Sequence, residues 1–332
     1  MVFHNRHITN TFGLEAVADT YIEYRSGDEL RRDLPQAKEP FLHVGGGSNL
    51  LFLQPRFAGT VFHNAIDTVE IVSEDASVCL VRAGGGMIWD DFVAWCVTRG
   101  LYGAENLSLI PGEVGAAAVQ NIGAYGAEAK DIIERVEAYD INGGVKVCLS
   151  CEECQYGYRS SLFKREEGRR YFVLSVVFRL SKVRRLNLEY GALKDLDKET
   201  ATLQQVRQKV IEIRQEKLPD PERIGSAGSF FMNPVVPESK YEALAREYDG
   251  MPHYPAADGM VKLSAGWMID RCGLKGAVRG RAGVYDRQAL VLVNLGGATA
   301  SEIMTLAEEV IAAVKEKFDV TLHPEVQIIK KG

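Results

Sequence analysis

From Ile110 to Gly126 the chain reads IPGEVGAAAVQNIGAYG, and after Glu113 no residue of this stretch carries a charge. It is too rich in glycine for a good helix and too long for a turn. Extended backbone lying against a flat or anionic cofactor is the expected use, because glycine lets backbone amides come close to such a group. Two more glycine-rich stretches, GGGSN at 45–49 and AGGG at 83–86, belong to the same question. Neither G-x-G-x-x-G nor G-x-x-x-x-G-K-[ST] occurs in any of the three, so a Rossmann fold and a Walker ATPase lack their fingerprints. AGGG by itself reads as a tight turn.

A chain of 332 residues has room for two or three domains. A net charge of −6 argues against nucleic acid as the main partner, so an anionic ligand would need a local cluster of cations. No apolar run resembles a signal peptide or a membrane span, and a cytoplasmic protein without membrane contact is expected. CLSCEEC, with Cys148, Cys151 and Cys154, has spacing that invites a metal. It also reads as a strand running into a capping box, with Ser150 as N-cap and Glu153 returning to its amide. No fourth ligand follows at cluster spacing, and no metal is expected.

Short strands (TYIEYR, PFLHV, GTVFH) and the helix DELRRDL fill the first sixty-odd residues. Strands IDTVEIV, SVCLVRAG and FVLSVVFRL follow, with an amphipathic helix IWDDFVAWCVTRG among them. The long helix TLQQVRQKVIEIRQEK stops at LPDPE, where two prolines end helical structure. Beyond it come strands SFFMNPVV and ALVLVNL, three helices, and a strand-like tail, HPEVQIIKK, that could return to an earlier sheet. Segregated strands and helices predict an α+β fold. The division expected is 1–66 with 324–332, then 67–218, then 219–323.

GGGSNLLF, IPGEVG, QNIGAYG, CQYGYRSSLFK, KLPDP, AGSFFMNP, VKLSAGWMID and HPEVQI stand in this order between residues 45 and 328. Together they resemble the signature segments of the UDP-N-acetylenolpyruvoylglucosamine reductases. The resemblance implies an FAD-binding fold of the vanillyl-alcohol-oxidase type, in two subdomains, with a separate α+β substrate domain. It also implies NADPH as reductant and, as partner, a UDP-sugar whose enolpyruvyl ether is reduced to give UDP-N-acetylmuramate for peptidoglycan. A monomer is expected.

The implied chemistry pushes negative charge onto the α-carbon and carboxylate of the enolpyruvyl group, which calls for a fixed cation, a neutral donor and a proton source. The resemblance gives these roles to Arg159, Glu325 and Ser229. Arg159 can grip a carboxylate through two donors. Glu325 would act as a protonated donor, and Ser229 would protonate a dianion basic enough to take a proton from a hydroxyl. Ser229 lies outside any G-x-S-x-G elbow, which argues against a nucleophile. On local sequence alone it is a turn serine, Arg159 a solvated arginine, and each candidate lysine a surface charge.

For the flavin the resemblance implies Gly45, Gly46, Gly47, Ser48, Asn49, Pro111, Gly112, Gly115, Ala116, Asn121, Ile122, Gly123 and Ala124. Relatives often carry serines after the VG of GEVGAAAVQ, so Gly115 and Ala116 would serve through backbone amides alone. For the substrate it implies Tyr190, carried on an insertion that folds over the ligand, with Tyr158, Lys217, Asn233, Lys262, Lys275 and Gln288. Tyr125 and Tyr254 are further site tyrosines. The residues leave open an oxidase of the same flavin fold, and a UDP-sugar-binding protein without redox chemistry.

Overall fold

The computed structural model describes residues 1–256 and 259–330, so the last two positions of the expected segment 324–332 lie outside the described residues. Strand β1 (Val2–His7) pairs antiparallel with β2 (Val17–Tyr24). Helix α1 (Gly27–Asp33) follows, and its first turn is closed by the Ser26 side chain, which accepts from the Glu29 amide. β3 (Phe41–Val44), β4 (Leu50–Phe52) and β5 (Arg56–Asn64) come next. The sheet order is β1-β2-β5-β3, with β5 parallel to both β2 and β3. Those parallel pairings are a feature of which the segregated pattern of strands and helices carries no sign. They bring the carboxyl ends of β3 and β5 side by side, Val44 opposite His63. GGGSN leaves the sheet from that edge, where sheets with parallel strands commonly hold ligands.

The second part contains β6 (Val69–Glu74), β7 (Val78–Gly84), α2 (Trp89–Thr98), α3 (Val114–Gln120), β8 (Gly123–Ala124) and β9 (Ala127–Glu128). It continues with β10 (Ile133–Asp140), β11 (Val145–Ser150), β12 (Tyr171–Ser181) and α4 (Leu203–Lys217). An antiparallel sheet of order β11-β10-β12-β7-β6 is its base. Trp89, Phe92, Val93, Cys96 and Val97 recur at helical spacing and are buried. Trp89 and Phe92 pack on Phe178 of β12, with ring centroids 5.9 and 4.4 Å away. Thr202 and Gln205 close a capping box at the start of α4.

Helix α3 corrects the expectation of extended backbone in the long glycine stretch. Its alanine run favours helix, and Asn121, left-handed at φ 46°, ends it. Gly115 sits inside it because a Cβ there would meet the Gly85 carbonyl oxygen at 3.0 Å.

The third part runs β13 (Gly225–Ser229), β14 (Val235–Pro237), α5 (Glu238–Glu247), β15 (His253–Pro255), β16 (Met260–Leu263) and α6 (Ala265–Arg271). After these come β17 (Val278–Arg279), β18 (Ala282–Val284), β19 (Val291–Asn294) and α7 (Ala300–Phe318). The sheets are β13-β19-β18-β17 and β14-β16-β15. SFFMNPVV is therefore not one strand but the end of β13, a bridge from Phe231 to Pro324, and β14. Pro234, with no amide hydrogen, sits at the break.

The tail does return. β20 (Gln327–Ile329) pairs parallel with β4, Gln327 opposite Leu50. Phe12, Leu14 and Leu51 from the first part share one buried core with Phe230, Phe231, Val310 and Val326. The beginning and end of the chain are thus packed behind Ser229.

Candidate active site

Ser229 is the last residue of β13, opposite Val291 of β19. The backbone just after it is bonded on both sides. The Phe230 amide donates to the Leu290 carbonyl at 2.7 Å, and the Phe230 carbonyl accepts from the Glu325 amide at 2.8 Å. The Met232 amide donates to the His323 carbonyl at 2.9 Å. Phe230 and Phe231 are fully buried, with ring centroids 5.0 Å apart. The aromatic pair and both hydrogen-bonded neighbours fix the backbone that carries the Ser229 hydroxyl. The same bonds hold Glu325 beside it.

Arg159, in a left-handed conformation at φ 51°, reaches the same place from the second part. Its Nε donates to Glu325 Oε1 at 2.6 Å, and its terminal nitrogens donate to the carbonyls of Asn121 at 3.2 Å and Gly123 at 2.7 Å. The Asn121 side chain is itself engaged, donating to Glu128 and the Gly157 carbonyl and accepting from the Lys130 amide. Lys164 braces this turn, donating to Gln120 Oε1 and to the Arg159 carbonyl, each at 2.8 Å. Burial holds the Lys164 ammonium below its ordinary range, against the pull of Glu325.

Aromatic rings and cations form the adjoining wall. Lys262 of β16 lies with Nζ 4.6 Å from the Tyr158 ring centroid and 5.9 Å from that of Tyr254. Burial pulls the Lys262 pKa down, while Glu128 opposes it. Tyr190 stacks on Tyr254 at 6.1 Å with an interplanar angle of 18°, and Tyr125 meets Tyr190 edge-on at 5.9 Å. Burial pushes the phenols of Tyr125, Tyr158 and Tyr190 upward, so they stay neutral donors at ordinary pH. The Asn233 side chain accepts from the Ala265 amide at 3.0 Å.

The glycine stretches converge next to Arg159 and Glu325. Asn49 Nδ2 donates to the Glu325 carbonyl at 3.2 Å, and Ser48 Oγ to the Pro111 carbonyl at 3.1 Å. A Cβ on Gly46 would stand 3.6 Å from the Gly112 backbone. Gly47 has φ 67°, and a Cβ there would lie 2.1 Å from the Thr9 carbonyl oxygen. Among the described residues, the amides of Gly45 to Asn49 donate to no protein acceptor. Such a cradle of free N–H groups suits an anionic diphosphate. AGGG behaves otherwise: the amides of Gly84, Gly85 and Gly86 all bond to backbone carbonyls, and the Gly85 carbonyl accepts from Gly115 at 2.8 Å. That leaves the amide of Ala116, rather than that of Gly115, for a ligand.

Residues 220–329 match the C-terminal domain of UDP-N-acetylenolpyruvoylglucosamine reductase, and residues 23–149 match an FAD binding domain. The UDP-N-acetylenolpyruvoylglucosamine reductase of Bacteroides fragilis is 52% identical over 96% of this chain and 97% of its own. That of Porphyromonas gingivalis is 47% identical over 96% of both chains. The chain belongs to the UDP-N-acetylenolpyruvoylglucosamine reductase family. As a member of it, the protein is an FAD-dependent oxidoreductase. The crystal structure of a UDP-N-acetylenolpyruvylglucosamine reductase from Thermus caldophilus, 24% identical, shares the fold, with a TM-score of 0.67 over 98% of each chain.

Not every residue implied by the reductase family meets the others by direct contact. Lys217 is exposed on the last turn of α4. Lys275 faces Asp270 at 3.8 Å. Gln288 accepts from the Leu290 amide, one step from the β19 residue opposite Ser229. Ile122 and Ala124 contribute to the turn that presents Gly123. In CLSCEEC the Ser150–Glu153 box forms as expected, at 2.8 and 3.2 Å, but it closes a turn rather than a helix. Burial pushes the Cys151 and Cys154 thiols upward, Cys154 to about 12.

Sequence reasoning missed Lys164 and a cavity of about 260 Å³ under Gly45 and Gly46, lined also by Arg6, Tyr21, His63 and Glu113. Lys164 stands inside the quoted CQYGYRSSLFK, five residues after Arg159, so its proximity was readable. His63 and Glu113 meet at 3.1 Å from separate parts of the chain, with no local signal.

Proposed function

We propose that this protein reduces the enolpyruvyl ether of a UDP-N-acetylglucosamine derivative to UDP-N-acetylmuramate, with NADPH as reductant, as a cytoplasmic monomer in peptidoglycan precursor synthesis. The observation that carries the reading is the convergence of Arg159, Glu325 and the fixed Ser229 strand on the glycine cradle. The names of the curated relatives support the substrate class. Three domains, 1–66 with 324–332, 67–218 and 219–323, fit the division of labour.

FAD suits the residues present. Gly45 to Asn49, Pro111, Gly112 and Ala116 would hold its diphosphate, and Asn121 to Ala124 would border the flavin ring. The chemistry that bound FAD supplies is hydride transfer, from NADPH to the methylene carbon of the enolpyruvyl group.

The protein's own residues do the rest. Arg159, still with free N–H groups on its terminal nitrogens, faces the substrate carboxylate as negative charge builds there. Glu325, in protonated form, donates to the enolate. Ser229 Oγ delivers its proton to the α-carbon, where the dianion is basic enough to take it. Lys262, Lys217, Lys275, Asn233, Gln288 and Tyr158 receive the uridine diphosphate, and Tyr190 covers it. Packing keeps Arg159 and Glu325 largely away from bulk water, which strengthens the charge interactions they make.

An anaerobic titration tests the proposal. NADPH should bleach the flavin absorbance, and the enolpyruvyl UDP-sugar should then restore it. Bleaching without restoration by the UDP-sugar would refute the substrate, and rapid reoxidation by air alone would favour an oxidase.

A further inference from the structure

Tyr158 and Arg159 are the two central residues of a tight turn. Gly157 and Ser160 exchange backbone hydrogen bonds across it, the Gly157 amide to the Ser160 carbonyl at 2.9 Å and the Ser160 amide to the Gly157 carbonyl at 3.1 Å. The second central position is left-handed, φ 51°, where glycine or asparagine is the easy choice and arginine is strained. Such a residue persists only where its surroundings over-determine it. The direction of its carbonyl is set by the same residue's ψ. Among the described residues, the hydrogen bond that reaches this oxygen comes from Lys164 Nζ, at 2.8 Å.

The same ammonium donates to Gln120 Oε1 at 2.8 Å. Gln120 is the last residue of α3, and the next carbonyl along the chain, that of Asn121, is one that the Arg159 fork holds, at 3.2 Å. Lys164 thus ties the backbone that carries the guanidinium to the segment that the guanidinium grips. Two further bonds clip these segments nearby, Ser161 Oγ to the Val119 carbonyl at 2.6 Å and Asn121 Nδ2 to the Gly157 carbonyl at 2.9 Å. Neither touches the Arg159 backbone. Lys164 is exposed as a residue, and an exposed lysine ordinarily leaves its ammonium in water. Here the ammonium is engaged by two neutral oxygens instead. Its stem starts from a fixed point, since Leu162 and Phe163, in the same short helical turn, are both buried.

We propose that Lys164 is a positioning residue, which holds Arg159 in its left-handed conformation and so keeps the guanidinium at Glu325 and in reach of the substrate carboxylate. This rests on the UDP-sugar reading above. The effect of Lys164 on the reaction passes through Arg159. A group displaced by about 1 Å can lose roughly 10²-fold in rate, so a loosened fork is costly even with its charge intact.

Stopped-flow reoxidation of the reduced flavin by the enolpyruvyl UDP-sugar tests the assignment, in a double-mutant cycle of Lys164→Met and Arg159→Ala. Lys164→Met alone should slow reoxidation by about 10- to 100-fold. In the Arg159→Ala background, where no guanidinium remains to be placed, Lys164→Met should slow it little further. Lys164→Arg, which keeps a cationic donor able to reach both oxygens, should recover most of the loss. Unchanged reoxidation in Lys164→Met overturns the proposal. Equal losses with and without the Arg159 guanidinium also overturn it, since Lys164 would then meet the substrate itself or merely hold the turn. A loss in Lys164→Arg as large as in Lys164→Met does the same. Flavin content and unfolding temperature show whether the methionine variant is folded; if it is not, Lys164→Gln takes its place in the cycle. Wild-type flavin that the UDP-sugar does not reoxidise would refute the substrate reading, and the assignment with it.

Discussion

Arg159 and Glu325, 166 residues apart in the chain, meet Nε to Oε1 at 2.6 Å, each with a fractional side-chain exposure below one fifth (15% and 19%). The contact joins the loop that carries Asn121 and Gly123 to the segment before β20, whose Glu325 amide bonds the Phe230 carbonyl. Arg159 also holds the carbonyls of Asn121 and Gly123, so its fork organises the loop as well as serving the carboxylate-binding role proposed for it. Replacement by lysine keeps the charge, but a single ammonium cannot span the three acceptors that the planar fork reaches. Arg159→Lys should lower kcat by roughly 10²-fold or more, in the range of a lost oxyanion donor. Steady-state kinetics beside a flavin absorbance spectrum separates lost chemistry from a disturbed cofactor site.

Glu325 is assigned a role as a protonated donor. Glu325→Gln retains a neutral N–H donor of nearly the same shape, whereas Glu325→Ala retains none. The glutamine variant should therefore keep more activity than the alanine variant. Equal losses would mean that the carboxyl's ability to titrate, rather than its hydrogen bond, is what the reaction uses.

Gly47 combines φ 67° with a space that ends 2.1 Å away at the Thr9 carbonyl oxygen. A side chain there strains the backbone and pushes two segments apart. Gly47→Ala should cost about 2 kcal/mol or more in stability and release flavin. Thermal unfolding and flavin content of the purified variant check it.

How much of this could be read beforehand differs from residue to residue. Arg159, Ser229 and Glu325 stand in short motifs whose resemblance to a family survives without any knowledge of contacts. The capping box Ser150–Glu153 was readable because its partners are three residues apart. Helix α3 was not, since the glycines that argue against helix are tolerated by the contact with Gly85. SFFMNPVV has strand composition throughout, yet its partners change from β19 to residues 323–325 to β16, and composition cannot show that.

His63 gives a pH prediction. Burial works to lower its pKa, but the hydrogen bond it donates to Glu113, with the charges of Glu113 and Glu23, outweighs this and the net direction is upward. A histidine with a raised folded-state pKa contributes stability that is complete below the ordinary value near 6.5 and is lost as pH rises through the folded value. The wild type should therefore lose more of its unfolding temperature between pH 6 and pH 8 than His63→Gln does. Parallel curves for the two proteins would remove His63 from the account.

Tyr190 is 38% exposed and is held by stacking on Tyr254. In its proposed role as a cover for the UDP-sugar, it would contribute binding that ground and transition states share. Tyr190→Ala should raise KM for the UDP-sugar by about 10-fold and change kcat less, since uniform binding acts on KM.

The central claim is that Ser229, fixed between β19 and residues 323–325, delivers the proton. Stopped-flow measurement of the two half-reactions in Ser229→Ala tests it most directly. Flavin reduction by NADPH should stay close to the wild-type rate. Reoxidation by the enolpyruvyl UDP-sugar should slow by about 10²–10⁴-fold or more, the contribution of a well-placed acid. If both half-reactions slow equally, or neither slows, Ser229 is not the proton donor.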